Sequence, residues 1–440
     1  MTKVGIAGGG ISGLACAHYL KKAGAEVVVF DPTPGGLIGS VTIDNCILET
    51  GPESWLASKP WAEQLLREIG LGDQITGSND ARRRTYILKE SLFEVLPEGL
   101  QLVVPTRPWP VLQSRLLGWG TKLRMAAEIF RNPKTLPDRS VAAFVGDHFG
   151  QEAVEYLAEP LLAGVYGGST ESLSAVSVLP KFVEHEQRYG SVVVGALREK
   201  KPVSSEPVFK SLRSGMGSFV RALESQTTIV RARVESIRPG GDGEARWHAF
   251  ADGAWHEFDQ LVLCCGANNA APLLGPVDPV AADLLGSIAH TSSAIWTMGY
   301  RREDVPHPLD AFGFLIPKGE RNAIMACTWV ATKWLGRVPD DKAVLRCFST
   351  DLAVTKEAIQ ADLKRLMAVT AEPIFAVKHE CPDAMPQYTV GHTIRIGELE
   401  ARIDDIPGLY LAGNAYHGIG IPDCVRSGKQ AAEAITLSRL

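Results

Sequence analysis

The start of the chain alternates two hydrophobic patterns. Residues 4–7 form a short continuous apolar run, which is typical of a buried strand. Residues 12–23 repeat apolar side chains at helical spacing, and residues 27–30 are a second apolar run that stops at Asp31. The chain therefore begins with a predicted β-α-β unit, the building block of a parallel sheet.

The same two patterns recur further along the chain. A buried strand is predicted at residues 409–412, and a last helix follows it with Pro422 in the first turn, where proline is tolerated. Between these ends the pattern predicts helices over 123–130 and 141–162, strands over 297–300 and 312–316, and a helix over 354–369.

Three glycines occupy the turn between the first strand and the first helix, in the pattern G-x-G-x-x-G. Gly8 allows a tight turn, Gly10 lets the backbone approach a pyrophosphate, and Gly13 lets the helix pack on the strand. The helix N-terminus offers free N–H groups to phosphates. Asp31 can accept hydrogen bonds from ribose hydroxyls and would repel the 2′-phosphate of NADP. These features together predict a dinucleotide site.

Two features favour FAD over NAD as the dinucleotide. A second pair, Gly35 and Gly36, precedes a hairpin-like stretch, where an NAD domain would continue with another β-α-β crossover. Near the C-terminus, Gly418 and Gly420 form a small loop before the last predicted helix. The N-terminus of that helix can stabilise negative charge on a reduced flavin ring. We therefore predict that the first helix holds the phosphates and the last helix holds the redox ring.

Composition narrows the class of protein. The 440 residues are 45% hydrophobic and 22% charged, and the net charge of −5 gives no case for nucleic-acid binding. The eight cysteines include no C-x-x-C pair and the ten histidines show no metal-ligand spacing, so we expect a reducing compartment and no metal. The chain opens directly into a strand and has no apolar run of roughly 20 residues. We therefore expect a cytoplasmic protein without a signal peptide.

Several segments carry a resemblance to a known family: GGGISGLACA, LETGPESWL, LVVPT, EPLLAGVYGGSTESLSAVSVLPKFVEHEQRYGS, FGFLIP, MPQYTVGH and LAGNAYHGIGIPDCVRSG. They resemble the oxygen-dependent porphyrinogen oxidases of haem synthesis, in the flavin amine oxidase superfamily. The first segment is shared across the superfamily, whereas the long fourth segment and the last two are far more specific. The resemblance implies an FAD-dependent enzyme that removes six electrons from protoporphyrinogen IX or coproporphyrinogen III and reduces O2 to H2O2.

The glycine motif and the resemblance together predict the cofactor-binding residues. They are Gly8, Gly9, Gly10, Ile11, Ser12, Gly13, Asp31, Gly35, Gly36, Gly51, Pro52, Glu53, Ser54, Val234, Asn414, Ile419, Gly420 and Ile421. Two departures from the family pattern concern the pyrophosphate side. The acid after the second strand is the shorter Asp31 rather than Glu, and the link to Gly35 lacks the basic residue often found there.

The substrate side is expected to combine an apolar slot with cations. The resemblance points to Tyr166, Phe312, Phe314 and Leu315 as slot residues, with Leu162 and Val165 beside them; core packing is the alternative for each. Arg107 is the first choice for a propionate partner, ahead of Arg82, Arg83 and Arg84. Residues 82–139 hold eleven Lys/Arg and five Asp/Glu, which favours the four propionates of coproporphyrinogen over the two of protoporphyrinogen. No catalytic side chain is assigned, because the flavin carries the reaction at N5.

Other readings stay open at the level of sequence. A different superfamily member, such as an amine oxidase or a carotenoid desaturase, would share the glycine motif but not MPQYTVGH or GIPDCVRSG. A non-enzymatic FAD-binding or haem-handling protein is a further alternative. The stretch WPVLQSRLLGWGTKLRMAAEIF is basic and amphipathic, so it either lies on an anionic membrane or packs on the substrate domain. Homodimer formation is also open.

These observations predict an α/β fold built on a Rossmann-like FAD-binding domain of the three-segment, amine oxidase type. Its segments are residues 1–75, 205–270 and 390–440. Residues 76–204 are predicted to be a mostly helical insertion, and residues 271–389 an α+β substrate-binding domain. The Pro/Ser-rich segment EKKPVSSEPV is predicted to mark one border. The expected partners are the porphyrinogen and O2, not nucleic acid.

Overall fold

The computed structural model describes residues 1–199, 206–241 and 245–437. The predicted border EKKPVSSEPV lies mostly outside these described residues. The strands are β1 (Lys3–Ala7), β2 (Glu26–Phe30), β3 (Ser40–Ile43), β4 (Cys46–Glu49), β5 (Trp55–Leu56), β6 (Ile75–Gly77), β7 (Tyr86–Lys89), β8 (Leu92–Val95), β9 (Leu100–Gln101), β10 (Val104–Pro105), β11 (Phe209–Leu212), β12 (Thr228–Val230), β13 (Ser236–Pro239), β14 (Trp247–Ala251), β15 (Ala254–Phe258), β16 (Gln260–Leu263), β17 (His290–Arg301), β18 (Gly313–Leu315), β19 (Ala326–Trp329), β20 (Lys342–Ser349), β21 (Phe375–Pro386) and β22 (Leu409–Leu411).

Helices connect and cover these strands. They are α1 (Ile11–Lys22), α2 (Trp61–Glu68), α3 (Pro108–Gln113), α4 (Trp119–Ala127), α5 (Val141–Phe149), α6 (Gln151–Ala153), α7 (Glu159–Tyr166), α8 (Ala175–Val178), α9 (Pro180–Tyr189), α10 (Val192–Arg198), α11 (Gly217–Glu224), α12 (Ala267–Leu274), α13 (Pro279–Gly286), α14 (Val330–Lys333), α15 (Lys356–Met367), α16 (His392–Asp404) and α17 (Ile421–Leu437).

A five-stranded parallel sheet brings the two ends of the chain together. Its strand order is β12-β2-β1-β16-β22, and every neighbouring pair is parallel. Ile6 of β1 lies opposite Val29 of β2 and Val262 of β16. All three side chains are buried, as continuous apolar strands covered on both faces require. The predicted α/β, Rossmann-like fold is confirmed.

A seven-stranded sheet forms the second layer, in the order β21-β17-β20-β19-β18-β7-β8. Its pairs are antiparallel except β18 with β7. One face packs on α15, and the other contacts the β3–β4 hairpin through a cluster that includes Val344, Trp334 and Leu48. The hairpin β7–β8 comes from the segment predicted to be mostly helical. Both insertions therefore build one sheet, which the sequence did not predict.

The helices from α3 to α10 form a separate layer with its own apolar core. The predicted continuous helix over 141–162 is interrupted in this layer. Gly150 ends α5 with φ +91°, a conformation that glycine tolerates, and a π-helical turn, Val154–Ala158, follows α6. Pro160 then lies in the first turn of α7, where its missing N–H costs nothing.

A buried ionic cluster ties α5 to its neighbours in this layer. His148 Nδ1 lies 2.8 Å from Glu128 Oε1, and Nε2 lies 3.1 Å from Glu186 Oε1. Glu128 also accepts a hydrogen bond from the Val192 N–H at the start of α10, at 2.7 Å. Arg139 pairs with Glu186 at 2.7 Å. The buried carboxylates therefore have protein donors around them, as buried charges require.

Candidate functional site: the dinucleotide cavity and the C-terminal helix

The turn between β1 and α1 has the shape that its glycines permit. Gly8 has φ +111°, and a Cβ there would lie 2.6 Å from the Cys265 backbone nitrogen. A Cβ on Gly13 would lie 2.0 Å from the Gly8 carbonyl oxygen, so no side chain fits between helix and turn. A Cβ on Gly10, by contrast, would have no contact within 4 Å beyond its chain neighbours among the described residues. The turn is thus closed towards the protein and open at Gly10, where a ligand can approach the backbone.

Asp31 fixes this turn from the end of β2. Its Oδ2 accepts a hydrogen bond from Gly9 N–H at 2.6 Å, and its Oδ1 accepts one from Thr33 N–H at 2.8 Å. The sequence did not predict this holding role. Because each carboxylate oxygen has more than one acceptor site, Asp31 can also accept a ribose hydroxyl.

A cavity of about 520 Å³ lies beyond the C-terminal ends of β1, β2 and β16. Ligands bind at this edge in open parallel sheets. Predicted cofactor residues on its wall are Gly8, Gly10, Asp31, Gly36 and Val234. Cys265 and Gly266 close the opposite side. The cavity and the open Gly10 therefore fit a dinucleotide.

The link that follows β2 lies directly on the glycine turn. Gly35 N–H donates to the Gly9 carbonyl at 2.8 Å, and a Cβ on Gly36 would lie 3.4 Å from Gly10 Cα. The link carries no basic residue, but Arg233 lies exposed on the wall of the same cavity. Arg233 can therefore supply positive charge that the link lacks.

The last helix packs directly against the first. A Cβ on Gly428 of α17 would lie 2.1 Å from the Ser12 carbonyl of α1, so the two backbones touch. Ile11 and Ile421, the first residues of α1 and α17, belong to one buried cluster. The two helix N-termini are thus neighbours. Each offers unpaired N–H groups and the positive end of a helix dipole.

The loop before α17 is held by Ala384, near the end of β21, and by Tyr388, which follows that strand. Asn414 Nδ2 donates to the Ala384 carbonyl at 3.2 Å. The Tyr388 hydroxyl donates to the Asn414 carbonyl at 2.6 Å and accepts from Gly418 N–H at 2.8 Å. Both ends of the loop 414–418 are therefore fixed to β21 and to Tyr388.

A carboxylate lies in the first turn of α17. Asp423 is buried, and its Oδ2 lies 2.5 Å from Lys59 Nζ. Arg426 lies 3.5 Å from its Oδ1. Gly418 covers this carboxylate, because a Cβ there would lie 2.6 Å from the Asp423 carboxyl carbon. The positive charge of Lys59 therefore offsets the Asp423 carboxylate, whose negative charge would otherwise weaken the positive potential at the N-terminus of α17.

The segment 51–54 lies between the two sheets. A Cβ on Gly51 would lie 1.8 Å from the Leu37 carbonyl, so only glycine fits there. Glu53 is buried, and its carboxylate pairs with Lys333 and, at 3.2 Å, with Arg346. Burial alone would raise the pKa of Glu53, but the charges of Lys333 and Arg346 lower it to about 2. The Glu53 side chain was predicted to belong to the cofactor site, but its carboxylate is paired with Lys333 of α14 and Arg346 of the second sheet.

The predicted slot residues on β18 point in opposite directions. Phe314 is 1% exposed and lies in the core under the sheet, with its ring centroid 4.9 Å from that of Phe93. Leu315 points to the other face, where its Cδ2 would lie 3.7 Å from a Cβ on Gly164 of α7. Successive residues of a strand alternate in this way. The geometry therefore favours Leu315 over Phe314 as a slot residue.

The remaining substrate candidates lie in three different places. The Tyr166 ring centroid is 6.1 Å from that of Tyr388, and burial raises the pKa of Tyr166 to about 12, so it stays protonated at neutral pH. Phe312 lies beside the ion pair of Glu53, with Lys333 Nζ 5.8 Å from its ring centroid. Arg107 is exposed at the N-cap of α3. The structure thus brings Tyr166 to the C-terminal loop but leaves Arg107 at the surface.

Tyr388, Lys333 and Arg346 are site residues that the sequence did not single out. Tyr388 belongs to the segment MPQYTVGH, which carries the family resemblance, but nothing in that segment indicated a role for the tyrosine hydroxyl. The two cations had no signal, because their partner Glu53 lies 280 and 293 residues away.

Known proteins resemble the chain over nearly its whole length. A coproporphyrinogen III oxidase of Bacillus subtilis (strain 168) is 31% identical, covering 98% of this chain and 97% of that protein. A mitochondrial protoporphyrinogen oxidase of Nicotiana tabacum is 24% identical over 98% of this chain and 94% of its own. A crystal structure from Exiguobacterium sp. 255-15, provisionally named a protoporphyrinogen oxidase, has a TM-score of 0.87 at 29% identity and covers 99% of both chains.

The comparison with protein families matches residues 11–436 to the family described as flavin containing amine oxidoreductase. A flavin held at a dinucleotide fingerprint is FAD, so FAD is the cofactor and the protein is an FAD-dependent oxidoreductase. The match begins at Ile11, the first residue of α1, and runs through the second sheet into the last helix. The chain therefore belongs to the flavin containing amine oxidoreductase family.

Proposed function

We propose that this enzyme oxidises a porphyrinogen to the corresponding porphyrin. Six electrons leave the macrocycle in three two-electron steps, and each pair reduces one O2 to H2O2. The observation that carries the proposal is the similarity to porphyrinogen oxidases over 98% of the chain, in a family that uses a flavin. An amine oxidase or a carotenoid desaturase would share the fold but not the segments MPQYTVGH and GIPDCVRSG.

The proposal assigns the cofactor to the predicted residues around the two helix N-termini. The diphosphate lies on residues 8–13, the ribose on Asp31, the adenine against Val234, and the ring along Asn414 and residues 419–421. Residues 51–54 contribute backbone near the ring, because the Glu53 carboxylate is already paired. The FAD-binding domain then comprises residues 1–75, 205–270 and 390–440.

The substrate slot lies between α7 and the second sheet in this proposal. Leu315 of β18 lies against Gly164 of α7. Tyr166, at the end of α7, lies beside Tyr388, which bonds to the loop that precedes α17. FAD, when bound, would supply the hydride acceptor and the route by which electrons reach O2. The role of the protein's own residues in this proposal is to hold the macrocycle against the flavin ring and to exclude water.

We further propose coproporphyrinogen III as the preferred substrate. The basic excess of residues 82–139 is partly consumed inside the protein, because Lys89 pairs with Glu152 and Arg131 pairs with Asp147. Arg107 remains exposed and has no side-chain partner in the part of the chain that the structure describes. Its guanidinium is therefore free to pair with a substrate propionate.

The test is anaerobic mixing of the holoenzyme with each porphyrinogen, followed by addition of O2. We expect bleaching of the flavin absorbance, then porphyrin absorbance and about three H2O2 per porphyrin, with a higher kcat/KM for coproporphyrinogen III. Arg107→Ala is expected to lower kcat/KM for coproporphyrinogen by about tenfold and for protoporphyrinogen by less. Flavin that stays oxidised with both porphyrinogens but bleaches with a diamine would overturn the proposal.

A finer proposal on location concerns the surface of α3 and α4. Trp109, Trp119, Leu123 and Phe130 are each about two-thirds exposed or more. The predicted basic face is smaller than expected, because Lys122 is buried and donates to backbone carbonyls in the α3–α4 region. No helix among the described residues is long and apolar enough to cross a bilayer. We propose that this aromatic face contacts an anionic membrane surface peripherally.

Co-sedimentation with vesicles of anionic lipid tests this contact. Trp119→Gln is expected to weaken binding at low salt, whereas Trp255→Gln, a partly exposed tryptophan on β15, is expected to leave it unchanged. Equal binding of both variants and the parent would refute the proposal. A dimer that dissociates in Trp119→Gln would identify a second copy as the occupant instead.

A further inference from the structure

The Tyr388 hydroxyl is the shared partner of two backbone groups in the loop before α17. It donates to the Asn414 carbonyl at 2.6 Å and accepts from Gly418 N–H at 2.8 Å. A hydroxyl can do both at once, and a phenylalanine can do neither. The loop that these two bonds close leads directly into the N-terminus of α17.

The ring that carries this hydroxyl cannot easily move. Tyr388 is 3% exposed and stacks on His392, with ring centroids 4.0 Å apart and planes 12° apart. Burial lowers the pKa of His392 to about 4, so the imidazole is neutral at pH 7. His392 Nε2 lies 3.2 Å from the Tyr416 carbonyl, which fixes the imidazole in the same loop. The hydroxyl therefore occupies one position relative to Asn414 and Gly418.

Residues 387 and 388 also form hydrogen bonds with the helical layer, next to the proposed substrate slot. Gln387 Nε2 donates to the Tyr166 carbonyl at the end of α7, at 2.7 Å. The Tyr388 carbonyl accepts from Ser174 N–H at 2.7 Å. Gln387 and Tyr388, which are adjacent in the chain, thus connect the helical layer to the loop before α17.

We propose that Tyr388 is a positioning residue, whose hydroxyl sets the place of the loop 414–418, and hence of the α17 N-terminus, relative to the flavin ring. This inference rests on the proposed location of the ring along that loop. Without the hydroxyl, the Gly418 N–H and the Asn414 carbonyl lose their partner and the loop relaxes. The field of the helix at the ring then changes, although no contact to the substrate has been removed.

The test compares Tyr388→Phe with Tyr300→Phe in the holoenzyme. Tyr300 is equally buried, but its hydroxyl contacts only the Met298 sulfur, at 3.7 Å, among the described residues. The measurements are the flavin absorption spectrum, the flavin midpoint potential, the FAD dissociation constant and the melting temperature. We expect Tyr388→Phe to shift the spectrum and the potential and to weaken FAD binding by about tenfold, which is the order of the loss when buried hydrogen-bond groups, here the Gly418 N–H and the Asn414 carbonyl, are left without their partner. Tyr300→Phe should change none of the flavin readouts.

Two outcomes separate this inference from the proposed function. If the parent enzyme oxidises porphyrinogen but both variants show the parental spectrum, potential and FAD affinity, Tyr388 is only a packing residue. If no porphyrinogen is oxidised but Tyr388→Phe still shifts the spectrum and the potential, the positioning role stands and the proposed substrate fails. A shared fall in melting temperature without flavin changes would also count against positioning.

Discussion

Replacing Glu53 by Gln removes one charge from the contact between the two sheets while keeping the shape of the side chain. The carboxylate is buried and pairs with Lys333 and Arg346. In the variant, these two cations remain buried, and Arg346 keeps its hydrogen bond to the Gly51 carbonyl but loses its carboxylate partner. Breaking a buried pair by removing one partner typically costs about 3–5 kcal/mol, because the other charge is left uncompensated.

The pKa of Glu53 gives a second route to this magnitude. Its value falls from 4.5 to about 2 on folding, because the two cations outweigh the effect of burial. Each pKa unit corresponds to about 1.4 kcal/mol, so the ionised form stabilises the fold by roughly 3 kcal/mol. A depressed carboxyl pKa means that this stability is present above pH 4.5 and is lost as the pH falls towards 2.

The assay is urea unfolding of the parent and Glu53→Gln at a series of pH values from 7 down to 3. We expect a gap of about 3 kcal/mol at pH 7 that narrows below pH 4.5 as the parent becomes protonated. Glu372→Gln is the control, because Glu372 is 80% exposed and pairs with Lys356 at 3.4 Å. It should change the unfolding free energy by less than about 1 kcal/mol.

Two results would refute this reasoning. A gap at pH 7 no larger than that of Glu372→Gln would mean that the buried pair contributes nothing. A full gap that persists at pH 3 would mean that the carboxylate charge is not its origin. If Glu53→Gln instead releases FAD and leaves the unfolding free energy of the apoprotein unchanged, the side chain serves the cofactor rather than the contact between the sheets.

Three further predictions follow from the geometry. Gly10→Val should abolish FAD binding while the far-ultraviolet circular dichroism stays parental, because the space at Gly10 is open only towards the ligand; a protein that keeps its flavin would contradict this. His148→Ala should lower the free energy of unfolding in urea by about 3–5 kcal/mol, because two buried carboxylates lose their shared partner; a change below 1 kcal/mol would contradict it. Lys59→Met should lower the flavin midpoint potential by about 10–30 mV in a spectroelectrochemical titration, because Asp423 is left to oppose the helix dipole; an unchanged potential would show that this carboxylate is remote from the ring.

The central strands of the parallel sheet were predictable because they are covered on both faces. Such strands are continuous apolar runs, and the glycine turn after the first of them has its own spacing. The seven-stranded sheet was not predictable in the same way. Its strand β7 pairs in parallel with β18, more than 200 residues later in the chain, and nothing in either short strand encodes the other. The break at Gly150 was missed because the apolar spacing continues across it into α7.

The residues of the candidate site also differ in how far the sequence alone could predict their roles. Gly8, Gly10 and Gly13 act through the local backbone, so their spacing was sufficient to assign their roles. Asp31 was expected to contact the ribose, but its bond to Gly9 N–H depends on how the turn folds back over β2. Phe314 and Leu315 were grouped by sequence, although strand alternation alone could have separated them once β18 was known to have a core on only one face.

The position of the loop 414–418 is decided by residues outside the three segments predicted to bind FAD. Glycines at positive φ stand at both ends of the loop 414–418, with Gly413 directly before it and Gly418 as its last residue, so its own backbone leaves many conformations open. Tyr388, 26 and 30 residues earlier in the chain, selects one of them, and its neighbour Gln387 is bonded to the end of α7. Since α7 also carries Tyr166, a substitution that moves this helix moves the support of the loop. In the proposed site, one dipeptide therefore couples the substrate slot to the flavin ring, and we expect variants that move it to alter flavin chemistry without touching either FAD or the macrocycle.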